Sequence, residues 1–138
     1  MVAADLISQA EHDPNAAAVL ITPSKELIDE VLIELQTQVE KARHSDRIIQ
    51  ALGGQQSALV LVDNLDQAAQ LANAYATEHL ELLVADPGAL AQKITNAAAI
   101  FLGEYSPLVW GIILPVLAMF FQLAAKLNSN LALEFTLS

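Results

Sequence analysis

The chain has 138 residues, no cysteine, a formal charge of −10 and a hydrophobic share of 54%. That length suffices for one domain with a substantial core, and the missing thiols exclude disulfides and thiolate metal sites. The acidic balance, with no basic cluster, makes nucleic acid and anionic membrane surfaces poor partners. Charge is uneven: most of it lies before Glu104, and no residue from Tyr105 to Ala125 is charged. Met1-Val2-Ala3-Ala4-Asp5 lacks the basic start and apolar core of a secretion signal, so a cytoplasmic location is expected.

Val2 to Glu11 reads as a helix, with Val2, Leu6 and Ile7 on one apolar face. Asp13-Pro14-Asn15 breaks it. Ala16 to Ile21 is a short apolar run and a candidate buried strand. Thr22-Pro23-Ser24 reads as a helix start, a hydroxyl cap followed by proline. Lys25 to Ala42 is the strongest helix, with Leu27, Val31, Leu32 and Leu35 along one face. A second helical piece, Ser45 to Leu52, stops at Gly53-Gly54. Ser57 to Val62 is the clearest strand, ended by Asp63-Asn64. Leu65 to Tyr75 is an alanine-rich helix, Leu80 to Val84 a third strand, Ala89 to Ile94 a short helix, and Ala98 to Leu102 a fourth strand. Alternating helices and near-continuous apolar strands are the pattern of a mainly parallel α/β sheet covered on both faces. No Gly-x-Gly-x-x-Gly element follows a strand and no P-loop is present, so the usual nucleotide fingerprints are absent.

Two polar clusters carry possible chemistry. Gln9 and His12, three apart on a helix, share a face, and an amide oxygen with an imidazole can ligate a divalent metal. Taken alone, His12 reads more simply as a cation at a helix C-terminus. Glu78 and His79 lie where a helical pattern gives way to a strand pattern, and both can move protons near neutral pH. In isolation that pair reads as a polar loop entering a strand. His44 lies in a charged linker and reads as surface.

The wording of three blocks is more specific than their periodicity. Val2 to Asp13 resembles the metal-site helix of histidinol dehydrogenase, Thr77-Glu78-His79-Leu80-Glu81-Leu82 resembles that family's catalytic segment, and Asn96 to Pro107 resembles the strand leading to its next metal ligand. The resemblance implies an incomplete Rossmann-like, three-layer, mainly parallel α/β body over residues 1–107. It also implies NAD-dependent oxidation of L-histidinol to L-histidine in histidine biosynthesis, with zinc and NAD as cofactors and a homodimer in the full-length family. Gln9 and His12 would ligate zinc, and Gln9, His12 and His79 would meet substrate. Glu78 would activate the water for the aldehyde-level step, and His79 would take the alcohol proton. The residues binding the nicotinamide cofactor are not identified in this chain.

After Pro107 the chain departs from the family. Ile112 stands where the family has a zinc-ligating aspartate, and neither the last metal-ligand histidine nor the upstream region has a counterpart. Codons for the family's continuation, read one base later, can yield Gly111 to Asn128, so an out-of-frame tail on a truncated remnant is one reading. The other is a divergent apolar tail over 108–138, helical across 105–125, which has the length of a membrane span. It would make the chain a non-enzymatic α/β module anchored or docked through that helix. A third possibility is an enzyme rebuilt with a partner chain that supplies the missing half.

Overall fold

The structure is a computed structural model that describes residues 2–102 and, for 111–117, the backbone. Its order is α1 (Val2–His12), β1 (Ala16–Thr22), α2 (Lys25–Lys41), α3 (Ser45–Leu52), β2 (Ala58–Leu61), α4 (Leu65–Tyr75), β3 (His79–Leu83), α5 (Pro87–Ala91), β4 (Ala99–Leu102) and β5 (Gly111–Leu117). Every helix and strand expected before Gly103 is present. One start signal moves: Thr22 belongs to β1, and the hydroxyl that caps α2 is Ser24, which accepts from the Leu27 amide at 3.1 Å. Thr22 instead accepts from the Ser24 amide, fixing the turn one step earlier.

The five strands form one sheet in the order β2-β1-β5-β3-β4. β1 pairs parallel with β2, with Val19 opposite Ala58, and β3 pairs parallel with β4, with His79 opposite Ala99. β5 runs antiparallel to both β1 and β3, so the four expected strands all point the same way. Alternate residues of β1 feed two cores. Ala18 and Leu20 pack with α1, α2 and α3, whereas Ala17, Val19 and Ile21 pack with Ala68, Ala69 and Ala72 of α4 and with Leu90 of α5. This period-two division produces three layers, helices on both faces of a mainly parallel sheet. The small alanine face of α4 lets that helix lie close to the strands.

The tail departs from the helix expected of it. Residues 111–117 form a strand, with Ile113 opposite Leu20 on one side and Glu81 on the other. Ile, Val and a proline disfavour helix and suit extended backbone, and the space between β1 and β3 offers ladder partners on both sides. Pro115 lies opposite Ala18, beyond the last β3 pairing at Ile113, where β5 borders β1 alone. That is an edge-like setting in which a missing amide is tolerated. Residues 105–110 and 118–125 of the expected tail helix lie outside the described residues. Among the described residues no helix is long and apolar enough to cross a membrane.

Candidate active site

The Glu78-His79 segment is built by the end of α4. Ala76 caps that helix in the left-handed region (φ 53°, ψ 55°), and its amide still reaches the Ala72 carbonyl at 3.0 Å. A left-handed alanine costs about 1 kcal/mol, and contacts of Thr77 and Glu78 hold the turn against that cost. Thr77 is buried, and its hydroxyl donates to the His79 carbonyl at 2.7 Å. The Thr77 and Glu78 carbonyls accept from the amides of Ala98 and Ala99 at the entry to β4. The backbone of Glu78 is thereby fixed between a buried threonine and the neighbouring strand, while the Glu78 and His79 side chains are exposed.

The entry to β4 is itself pinned to α4. Asn73 donates to the Lys93 carbonyl at 2.8 Å, and its side-chain oxygen accepts from the amides of Thr95 and Asn96. Lys93 also pairs with Asp66. These contacts set where Ala99 meets Glu78 and hence where the site begins.

Strand alternation assigns the faces. Leu80 and Leu82 enter the core beneath α4 and α5, while Leu83 joins the core beneath α1. His79 and Glu81 therefore belong to the α1 face. The Asp5 carboxyl of α1 is close enough to Glu81 to act on it. Burial holds both carboxyls above the usual carboxylate range, and the Asp5 charge pushes Glu81 further up. Phe101, opposite Glu81 on β4, sets its ring 5.9 Å from the His79 imidazole at a 39° tilt.

Gln9 and His12 arrive at the same end of the sheet. The turn at Asp13 to Asn15, closed by the Ala16 amide on the Asp13 carbonyl at 2.9 Å, reverses the chain. The C-terminal end of α1 thus lies over the start of β1, and β3 runs parallel to β1. Gln9 is half-buried and His12 exposed. The four candidate residues gather at the amino ends of the strands, opposite to the usual location in open α/β sheets. His79 is the first residue of β3, so this placement does not come from a misjudged strand boundary. His44 is exposed at the start of α3, where its carbonyl accepts from the Ile48 amide and its side chain makes no cap hydrogen bond, consistent with a surface role.

Zinc takes four ligands in structural sites and three plus water in catalytic ones. Gln9 and His12 supply two, and no group of three or more His, Asp or Glu suited to a metal is found among the described residues. The donors among the described residues do not by themselves make a closed zinc centre. Two residues that shape the site were missed in the sequence. Thr77 was legible only as part of the motif, because a buried hydroxyl closing a turn leaves no periodic mark. Phe101 read as an ordinary strand residue, because its contact with His79 depends on the register of β3 with β4.

The family model for histidinol dehydrogenase matches residues 1–112. Histidinol dehydrogenase of Thermobifida fusca is 56% identical over 110 residues, covering 80% of this chain and 25% of that protein. The Streptomyces avermitilis protein of the same name is 54% identical over 111 residues, again 80% and 25%. The crystal structure of histidinol dehydrogenase from Elizabethkingia anophelis superimposes with a TM-score of 0.71 at 33% identity, covering 76% of this chain and 24% of that one. The chain thus spans about a quarter of the length of the curated relatives it matches. The match stops close to where β5 begins, so most of the strand at the centre of the sheet lies beyond the shared sequence. With four-fifths of its length aligned and the same α/β layers underneath, the chain belongs to the histidinol dehydrogenase family.

Proposed function

We propose that this chain carries part of the machinery for NAD-dependent oxidation of L-histidinol to L-histidine, in a cytoplasmic, homodimeric enzyme of histidine biosynthesis. We propose further that it is a piece of that enzyme and does not act alone. The observation that carries the reading is the match over residues 1–112, which includes Gln9, His12, Glu78 and His79. Their gathering at one end of the sheet supports it.

The roles follow from the chemistry. Alcohol oxidation removes a hydroxyl proton as hydride leaves carbon, and His79, exposed and oriented beside Phe101, is the group that takes that proton. Each of the two oxidations, of the alcohol and of the hydrated aldehyde, releases a hydride, for which NAD, when bound, would be the acceptor. Oxidation of the aldehyde to the acid requires addition of water to the carbonyl, and Glu78 is the base that removes a proton from that water. Gln9 and His12 hold the substrate and serve as two of the zinc ligands. The remaining ligands and the nicotinamide contacts belong to polypeptide this chain does not include, and no step is assigned to the metal. The sequence after Pro107 is an out-of-frame reading of the family's continuation.

The test is to reread the DNA across the codons for Pro107 and Leu108, restore the frame, and assay histidinol-dependent NAD reduction. Recovery of the family sequence and of activity, lost again with His79→Asn, is the expected result. A frame that restores nothing, together with an inactive product, rejects the reading.

A further inference from the structure

We propose that Asn73, clamped to Asn96, is a positioning residue for Glu78 and governs the water-addition step of the oxidation. The inference rests on the function proposed above and adds to it a residue remote from the reacting atoms.

The turn from α4 into β3 carries Glu78, and a ring of contacts closes around it. The Glu78 carbonyl accepts from the Ala99 amide at 2.9 Å, and the Thr77 carbonyl from the Ala98 amide at 3.2 Å. The loop leading to those amides returns to α4 through Asn73. The Asn73 Nδ2 donates to the Lys93 carbonyl at 2.8 Å, and its Oδ1 accepts from the Thr95 and Asn96 amides at 2.7 and 3.3 Å. Asn96 answers with its own Nδ2, which donates to the Asn73 carbonyl at 3.2 Å.

The residue type suits this task. Asparagine places an acceptor oxygen and an NH2 donor on one short planar group. Aspartate would offer no proton to the Lys93 carbonyl, and alanine would offer neither group. Asparagine is also a weaker helix former than the Ala, Leu and Gln around it in α4. In the last turn of a helix the carbonyls lose their intrahelical donors, and Asn96 supplies one to Asn73.

The Glu78 side chain is exposed, so its backbone aims it rather than packing. His79 has holds outside the clamp: its carbonyl accepts from the Thr77 hydroxyl and its ring lies by Phe101. The clamp therefore bears on Glu78 more than on His79, and on aldehyde oxidation more than on alcohol oxidation. In that step a water proton passes to the Glu78 carboxylate while the water oxygen bonds to the aldehyde carbon. The carbonyl π bond opens and its oxygen takes up a proton. Hydride then leaves the hydrated carbon for NAD, and loss of a proton gives the acid.

The test uses the Thermobifida fusca relative carrying residues 1–107 of this chain in place of its matching segment, beside the 138-residue chain itself. In the chimaera, Asn73→Ala should lower kcat on the aldehyde roughly tenfold or more at nearly unchanged KM. The first hydride transfer from L-histidinol, read in a single turnover, should slow less than about threefold. Asn73→Asp, which keeps the acceptor, should fall between, and Asn96→Ala added to Asn73→Ala should cost little more. Lys93→Ala, which removes the ion pair with Asp66 from the same loop, should leave the ratio of the two steps unchanged. In the 138-residue chain, Asn73→Ala should speed amide exchange at Ala98 and Ala99 roughly tenfold while Leu20 and Ile21 stay protected. An unchanged aldehyde rate, equal slowing of both steps, or unaltered exchange at Ala98 and Ala99 overturns the proposal. An inactive unsubstituted chimaera rejects the proposed function, and exchange at Ala98 and Ala99 in the 138-residue chain then decides the clamp by itself.

Discussion

β1 and β4 are nearly the same sequence in opposite surroundings. Ala16 to Ile21 reads Ala-Ala-Ala-Val-Leu-Ile, and Ala97 to Leu102 reads Ala-Ala-Ala-Ile-Phe-Leu. All seven residues of β1 are buried, whereas β4 is exposed from Ile100 onward. β1 has β2 on one side, β5 on the other, and helices on both faces. Among the described residues β4 has one strand neighbour, β3, and packs with one helix, α5. Local sequence set strand propensity for both, and neighbours alone decided burial. An apolar strand left at an edge is therefore informative in a way that the same strand at the centre is not.

The largest effect is expected from removing residues 111–138. Among the described residues, β5 is the strand that joins the β2-β1 pair to the β3-β4 pair. Its loss should strip amide-exchange protection from β1 and β3 and turn the protected strand into a second exposed edge. Retained protection at Ala16 to Ile21 would mean that β1 owes its burial to the helices alone.

Next in size is a paired truncation. Leu20 is fully buried, so Leu20→Ala should cost about 2–5 kcal/mol in urea unfolding. Leu102→Ala in the isolated chain should stay within about 0.5 kcal/mol. Similar losses at both positions would show that β4 is covered in solution. At the site end of the same strand pair, Thr77→Val removes the hydroxyl that closes the turn onto the His79 carbonyl. Loss of that partner should cost about 1–3 kcal/mol, and His79 side-chain NMR signals should broaden or shift.

The smallest effect concerns the face shared by α1 and β3. Asp5 and Glu81 have folded-state pKa values raised from 3.8 and 4.5, so the native state holds protons that the unfolded chain releases. Stability contributed by these groups is present below those ordinary values and is lost as pH rises through the raised folded values. Glu81→Gln should therefore raise the urea midpoint at pH 7 and leave it nearly unchanged at pH 3.5. An equal gain at both pH values would indicate packing rather than charge.

Much of this fold was legible because its signals are local. Apolar period and turn chemistry located α1 through β4, with shifts of one to three residues at Thr22, at the start of β3 and at both ends of α5. The candidate site was legible as motifs: Gln9 and His12 by spacing, Glu78 and His79 by adjacency at a boundary. What brings these pairs to one end of the sheet was not legible, because it depends on a three-residue turn after α1 and on β3 running parallel to β1. The tail was illegible for a related reason. An uncharged run as long as 105–125 satisfies a helix as well as a strand, and the choice over Gly111–Leu117 was made by unpaired edges of β1 and β3 far away in sequence.

Short stretches of the sequence therefore carry the order of elements through β4, the two-sided apolar character of the strands, the family, and the chemistry available at Gln9, His12, Glu78 and His79. These follow from periodicity, capping and motif wording, which are properties of short stretches. Tertiary contacts set the strand order, the insertion of β5 between β1 and β3, the contact of Phe101 with His79, the raised Asp5 and Glu81 carboxyls, and the exposure of Ile100, Phe101 and Leu102 on β4. Each of these is a relation between segments distant along the chain, set by which backbone donors and apolar faces remain to be satisfied once the local elements have formed.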